Sequence, residues 1–186
     1  MSAPISTRDK IVDAAMSIVR DRGVAKLTLD EAAKCAGLSK GGVLYHFKSK
    51  DDLIRGMIER LLHQVDEQDR LHYETEPPGP YRWVRSAVRT AFDPDGPACD
   101  SVGGALLAAI TVNPSLMAPV HAQYARWIER IYADSPNPLL ASLVCMAMDG
   151  FYFEEMMGLK LCDNEQKSKM RQFILDMLKT EDGAKQ

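Results

Sequence analysis

Apolar residues recur at three- and four-residue spacing along nearly the whole chain, and strict alternation is almost absent, so the pattern predicts helices and no sheet. The first stripe, Ile11, Ala14, Ala15, Ile18 and Val19, predicts a helix that opens at Ser6 or Thr7 and stops at Gly23. Thr28-Leu29-Asp30-Glu31 has the form of a capping box and predicts a second helix ending near Gly37. Ser39 caps a third, short helix to about His46, and Ser49 opens a fourth from Lys50 to about Arg70. Along the fourth, Leu53, Ile54, Met57, Ile58, Leu61, Leu62 and Val65 form a wide apolar face. Glu76-Pro77-Pro78-Gly79-Pro80 is a rigid loop, and helices follow at about 81–92, 101–111, 115–133, 138–160 and 163–179. Pro119 falls in the first turn of the third of these, where a missing N–H is tolerated. The sum is an all-α fold of about nine helices.

Composition agrees and narrows the class. At 186 residues and 46% hydrophobic content the chain can bury a core. No apolar run approaches the ~20 residues of a membrane helix, and Met1-Ser2-Ala3-Pro4-Ile5 has no signal-peptide pattern, so a cytoplasmic protein is expected. Cys35, Cys99, Cys145 and Cys162 show no CxxC spacing and read as buried thiols. The histidines (46, 63, 72 and 121) form no HExxH, and there is no Gly-rich phosphate loop and no Gly-x-Ser-x-Gly. Glu154-Glu155 lacks the accompanying Glu-x-x-His of a carboxylate metal site. No cofactor, no metal and no enzyme chemistry is expected.

Charge is unevenly placed. Residues 1–50 hold nine Lys/Arg against five acids, a net +4, whereas the remaining residues carry a net −7. A basic head on an acidic body suits a chain whose head alone meets a polyanion; chance clustering is the other reading.

The head carries the candidate chemistry. Ala36-Gly37-Leu38-Ser39 joins the second and third helices, with glycine for the left-handed turn and Leu38 to anchor it. Val43 and Phe47, at i and i+4, are expected to face Val19 and Ala32-Ala33. That leaves Lys40, Gly41, Gly42 and Tyr45 on the other face. A basic group, bare backbone and an aromatic hydroxyl together suit a DNA major groove. The paired glycines lower helix propensity by ~1 kcal/mol each; close approach to DNA is one reason for them, and a frayed turn with a solvated lysine is the alternative.

From Ile11 to about Met57 the sequence resembles the TetR family of bacterial regulators. The resemblance rests on Ile11-x-x-Ala14-Ala15, Arg22-Gly23, Thr28-Leu29-Asp30-Glu31-Ala32-Ala33, Ala36-Gly37-Leu38-Ser39-Lys40-Gly41, Leu44-Tyr45-His46-Phe47 and Lys48-Ser49-Lys50-Asp51-Asp52-Leu53. It implies a helix-turn-helix domain at 1–50 and an effector-binding and dimerisation bundle at 51–186. It also implies that Thr28 contacts phosphate while capping its helix, and that Ser39, Lys40, Gly41 and Gly42 open a recognition helix onto bases. His46 and Lys50 then hold phosphates, Lys50 from the positive N-terminus of the fourth helix; Lys48 and Tyr45 complete the DNA-binding set. Two departures from the family pattern stand out. Leu44 occupies the place where the family commonly has tyrosine, and Tyr45, one residue on, is turned by about 100°. Gly42 stands where Thr or Ser is usual.

The body is read as sensor and dimer. Residues 135–148 are free of charge, and Asp149 then falls between Met148 and Gly150-Phe151-Tyr152-Phe153. It is a polar anchor in a ligand cavity or an acid satisfied by a neighbouring helix or partner subunit. Trp83, Leu106, Ile110, Met117, Tyr124, Trp127, Met148 and Phe151 are candidates to line a cavity, or are simply core. Asp149, Glu154 and Glu155 near aromatics point to a small apolar or cationic aromatic effector. Leu139, Leu143, Met146, Gly150, Phe153, Met157, Met170, Phe173, Ile174 and Met177 exceed what one small bundle hides, which points to a homodimer through the last two helices. The expected function is a repressor that binds double-stranded DNA at a roughly palindromic operator and releases it on effector binding. A DNA-binding regulator without an effector, controlled by a protein partner or by abundance, is the other reading.

Overall fold

The computed structural model describes residues 5–93, 96, 102–159 and 161–183. Within them lie helices α1 (Thr7–Arg22), α2 (Leu29–Ala36), α3 (Lys40–His46), α4 (Lys50–Thr75), α5 (Arg82–Ala91), α6 (Val102–Val112), α7 (Ala118–Ala133), α8 (Pro138–Met157) and α9 (Asn164–Gly183). Single 3-10 turns occupy Val24–Lys26 and Pro114–Met117, and no strand occurs among the described residues. The all-α expectation of about nine helices is met. The helix expected from residue 115 is divided, because Asn113 caps a 3-10 turn that starts on Pro114 before α7 begins at Ala118.

The described residues form two compact units. The head takes in residues 1–62 and 101–121, and the body residues 63–100 and 122–186. These units are drawn differently from a division after residue 50. The first half of α4 and all of α6 supply Leu53, Ile54, Met57, Val102 and Leu106 to the same buried cluster as Ile11, Ile18, Leu27, Val43 and Phe47. The motif ends at residue 50, but its core does not.

Local signals close the head's helices as the sequence expects. Ser6 Oγ accepts from Asp9 N, and Gly23, at φ 79°, returns its N–H to Val19 O. Gly37 takes the left-handed conformation (φ 67°) and lets Leu38 N reach Ala33 O at 2.9 Å, which anchors the turn between α2 and α3. The capping box is half formed. Thr28 Oγ1 accepts from Glu31 N at 3.1 Å, but the Glu31 carboxylate takes Arg22 at 3.0 Å instead of turning back to the cap. At Ser49 a variant of the box is present: Asp52 N donates to Ser49 Oγ, and the Asp52 carboxylate accepts from Lys48 N, the residue before the cap.

Helix α4 is clipped to α1 by Arg60, which bonds Asp9 at 2.6 Å and Asp13 at 3.0 Å, and by Arg8, which bonds Glu59 at 2.7 Å. Gly56 lets α4 pass close over Phe47; a Cβ there would lie 2.8 Å from the ring carbon Cε1.

In the body, Tyr81, Val84, Val88, Ala141, Val144, Met148, Phe151, Leu175 and Leu178 form the core. The loop after α4 is held by an ion triad in which Glu76 and Arg85 are buried and Arg89 reaches the surface. Glu76 accepts from Arg85 Nε at 2.8 Å and from Arg89 Nε at 2.5 Å, and Arg85 also donates to the carbonyls of Pro77 and Pro80. Tyr81 starts α5 from a left-handed conformation (φ 57°), secured by Tyr81 N donating to Asp134 O and by Asn137 N donating to its hydroxyl. No described helix is long and apolar enough to cross a membrane. The expectation of buried thiols needs correcting for Cys35, which is exposed on the polar face of α2; Cys145 and Cys162 are half-buried, and Cys99 lies outside the described residues.

Candidate functional site

Helix α3 is short, and its two faces differ completely. Val43 and Phe47 are sealed in the head core, whereas Tyr45 is 77% exposed. Lys40 and Gly41 are exposed beside it, and Gly42 is half-buried because its N–H turns in to Ser39 Oγ at 3.1 Å. Thr28, exposed at the start of α2, spends its hydroxyl oxygen on the cap. His46 is half-buried at the end of α3, with the Tyr45 ring edge-on at a centroid distance of 5.0 Å. The structure therefore places Thr28, Ser39, Lys40, Gly41, Gly42, Tyr45, His46, Lys48 and Lys50 on or beside one two-helix surface.

The lysines are engaged within the head. Lys40 pairs with Asp30 of α2 at 3.0 Å, an exposed contact of little energetic weight. Lys48 Nζ donates to the carbonyls of Leu44 (2.8 Å) and Tyr45 (3.3 Å), closing the C-terminus of α3. Lys50 Nζ donates to Val24 O at 2.9 Å and is half-buried, so it braces the start of α4 against the turn after α1. A lysine ammonium has three N–H donors, so each of the three retains hydrogens for another acceptor.

The nine candidates for a cavity lining divide between the units. Leu106, Ile110 and Met117 belong to the head, where Leu106 is buried and Ile110 packs against the core. Trp83, Tyr124, Trp127, Met148, Asp149 and Phe151 belong to the body. Met148 and Phe151 are core, with Phe151 stacked on Phe92 at 4.5 Å. Asp149 is exposed, and accepts from Tyr124 OH at 2.5 Å. Burial, then that carboxylate, push the Tyr124 hydroxyl well above its ordinary value.

Between α4 and α7 lies a polar cluster. Asp66 Oδ1 accepts from Trp127 Nε1 (2.9 Å), Arg130 (2.6 Å) and Gln123 (3.0 Å). Burial works against its charge, but the hydrogen bonds from Arg130 and Trp127 prevail and hold its carboxyl below the usual carboxylate range. Trp83 stacks on Tyr73 at 3.9 Å, with the Arg130 guanidinium 5.2 Å from its ring.

One turn from Asp66 stands Asp69, which no sequence motif marks. It is 7% exposed, and its Oδ1 has no hydrogen-bond partner among the described residues. Burial, and then the neighbouring Asp66 charge, raise its carboxyl to about 7 against the opposing pull of Thr90 and Arg130. A signal was available: the apolar register of α4 through Ile58, Leu61, Leu62 and Val65 places its next inward residue at 69, where the chain has a carboxylate.

Comparison with known proteins fits this geometry. A family model described as bacterial regulatory proteins, tetR family, matches residues 11–57, and one described as tetracyclin repressor-like, C-terminal domain, matches residues 81–179. The HTH-type transcriptional regulator AcrR of Shigella flexneri is 36% identical over 73 residues, 39% of this chain and 34% of AcrR. The chain thus spans about a third of that relative's length. A TetR-family member from Streptomyces coelicolor A3 superposes with a TM-score of 0.64 at 19% identity, covering 91% of this chain and 98% of that one. The multidrug binding protein EbrR complexed with ethidium gives 0.66 at 20% identity, covering 92% and 99%. At these identities the two structures share the fold.

Proposed function

The chain belongs to the TetR family of bacterial transcriptional regulators, and from that footing we propose that it is a homodimeric repressor that leaves a roughly palindromic operator when a small apolar or cationic aromatic molecule binds its body. It is a regulator and not an enzyme. A cytoplasmic location follows from this role. The observation that carries the reading is α3, with one face sealed in the core and the other presenting Lys40, Gly41 and Tyr45 to solvent. Such a helix can enter a major groove without rearrangement of the core behind it. Ser39, Gly41 and Gly42 bring backbone close to bases. Thr28, His46, Lys48 and Lys50 grip phosphates on either side.

Leu44 is half-buried, and Tyr45, turned about 100° from that position and 77% exposed, meets DNA from its own angle. The effector reading rests on Trp83, Tyr124, Trp127 and Asp149 and on the likeness to EbrR, a multidrug binding protein solved with ethidium. Leu106 is tied up in the head core and is left out of the effector set.

The test is an anisotropy titration on DNA from upstream of the chain's own coding sequence, at 50–200 mM salt, with and without aromatic compounds. Tyr45→Ala and Lys40→Ala are expected to weaken specific binding by about 1–3 kcal/mol. Lys50→Ala should weaken all sequences alike and reduce the salt slope by about one. Salt-independent binding, or release by no compound, overturns the corresponding half of the reading.

The dimer rests on α8 and α9. Leu139, Leu143, Met146, Phe153, Met157, Met170 and Phe173 are exposed. Leu140, Leu143, Ala147, Met170, Phe173 and Met177 line an open apolar groove whose one charged member is Lys169. Of the two expected stripes, Ile174 alone is buried within the body's own core. A patch of this kind on a monomer is a binding surface or an aggregation hazard, and a second copy covers it with the same residues. Leu143→Asp combined with Phe173→Asp is expected to halve the mass seen by light scattering at micromolar concentration; an unchanged mass would refute this interface.

A further inference from the structure

We infer that Asp69 is the anchoring carboxylate for a positively charged effector. The inference rests on the reading of the body as an effector domain and adds to it the chemical class, the anchoring residue and a linkage to pH.

Asp69 lies inside the body with groups of four helices around it. On its own helix α4, Asp66 stands three residues before it and His72 three after. Thr90 of α5 hydrogen-bonds to it, Arg130 of α7 acts on it by charge, and Cys145 of α8 feels its charge in turn. Its polar neighbours Arg130, Asp66 and Thr90 already have partners of their own. Arg130, the nearest guanidinium, is committed to Asp66 at 2.6 Å. Asp66 is further saturated by Trp127 and Gln123. The Thr90 hydroxyl also reaches Ser86 O at 3.3 Å. Asp69 Oδ1 alone is left over, buried and without a donor. A buried carboxylate in that position must be protonated or must meet a cation. Among the described residues no further cation is paired with it, so it keeps its proton unless a cation arrives from outside. Near the cluster, the stacked Tyr73 and Trp83 rings already carry the Arg82 and Arg130 guanidinium groups, which leaves the Trp127 indole as the aromatic face for an organic cation.

The neighbours make the linkage readable. Burial holds His72 below its usual value and pushes the Cys145 thiol up to about 11. Asp66 is kept ionised by Arg130 and Trp127, and Arg130 is charged throughout. Within this cluster Asp69 is the group poised to change charge near neutrality. A cation that requires its ionised form must expel the proton below that point. Each pH unit there is worth up to a factor of about ten in affinity.

Calorimetric titration of the full-length protein with benzyltrimethylammonium, and with its neutral carbon isostere neopentylbenzene, tests this. The cation's affinity should rise about tenfold from pH 6 to pH 8, with close to one proton released at pH 6 in buffers of different ionisation enthalpy. The isostere should bind with no pH dependence. Asp69→Asn should abolish both the cation preference and the pH dependence. Equal pH-independent binding of both ligands to the wild type overturns the assignment, as does a cation affinity that Asp69→Asn leaves unchanged, and so does failure of the cation to bind. Operator release by neutral aromatics in the anisotropy titration would leave the repressor reading standing in each of those cases. Failure of every compound to release the operator would remove that reading instead.

Discussion

At pH 8, Asp69→Asn is expected to stabilise the protein by about 4 kcal/mol, an unusual direction for a change at a buried position. The figure follows from a carboxyl raised from 3.8 to about 7, three units at about 1.4 kcal/mol each. The sign runs opposite to that of a salt-bridged acid. Because the folded value lies above the unfolded one, both states hold the proton below pH ~4. As pH rises, the unfolded chain ionises first, and stability falls steadily until the folded state ionises near 7. Above that the loss is constant. Asparagine cannot ionise, so its advantage over the wild type should be small at pH 4, intermediate at pH 5, and full at pH 8. Urea unfolding at those three values reads the difference directly. An advantage that does not grow with pH would mean that Asp69 is not protonated in the native protein. The group is a standing liability to the fold, as anchoring groups at binding sites often are.

The opposite result is expected at Glu76. Glu76→Ala should cost about 3–5 kcal/mol and lower Tm by about 10 °C, because it removes the carboxylate that neutralises the buried Arg85. Arg85 is as buried as the carboxylate it meets, with side chains 8% and 4% exposed, so water cannot take over. Its remaining acceptors are the backbone carbonyls of Pro77 and Pro80, which do not neutralise it. Burial by itself raises the Glu76 carboxyl, but the hydrogen bonds from Arg89 and Arg85 prevail and hold it below its usual 4.5. Its contribution is therefore complete above pH ~4.5 and is lost as pH falls through the lower folded value. Differential scanning calorimetry at pH 7 checks the main effect; a Tm within a degree or two of the wild type would show that the triad is dispensable.

The head was almost wholly legible in the sequence, because each of its signals is local. Ser6, Thr28, Ser39 and Ser49 cap helices within three residues of themselves, and Gly37 needs only its own dihedral freedom. Val43 and Phe47 read as core from their spacing alone. Contacts between distant segments were not legible. Nothing in residues 1–62 announces that Val102, Leu106 and Leu116 complete their core, so the sequence leaves Leu106 open between cavity lining and core. Glu31 caps in the sequence but pairs with Arg22 in the fold, since a charged partner outcompetes a backbone N–H. In the body, Asp149 drew attention by its apolar neighbours in sequence, yet its position on α8 leaves it exposed beside Tyr124. Asp69 sits among polar residues along the chain and is enclosed only by helices that arrive later.

The make-up of the head core bears on the order in which the protein is made. Val102, Leu106 and Leu116 are each no more than 2% exposed, and they pack with residues synthesised some fifty to a hundred positions earlier. When the helix-turn-helix has just left the ribosome, three of its wall's side chains have not yet been translated. The head therefore cannot reach its final packing as an autonomous first product. Its completion waits on a segment that lies beyond α5, so the helix-turn-helix and α6 reach their final packing together.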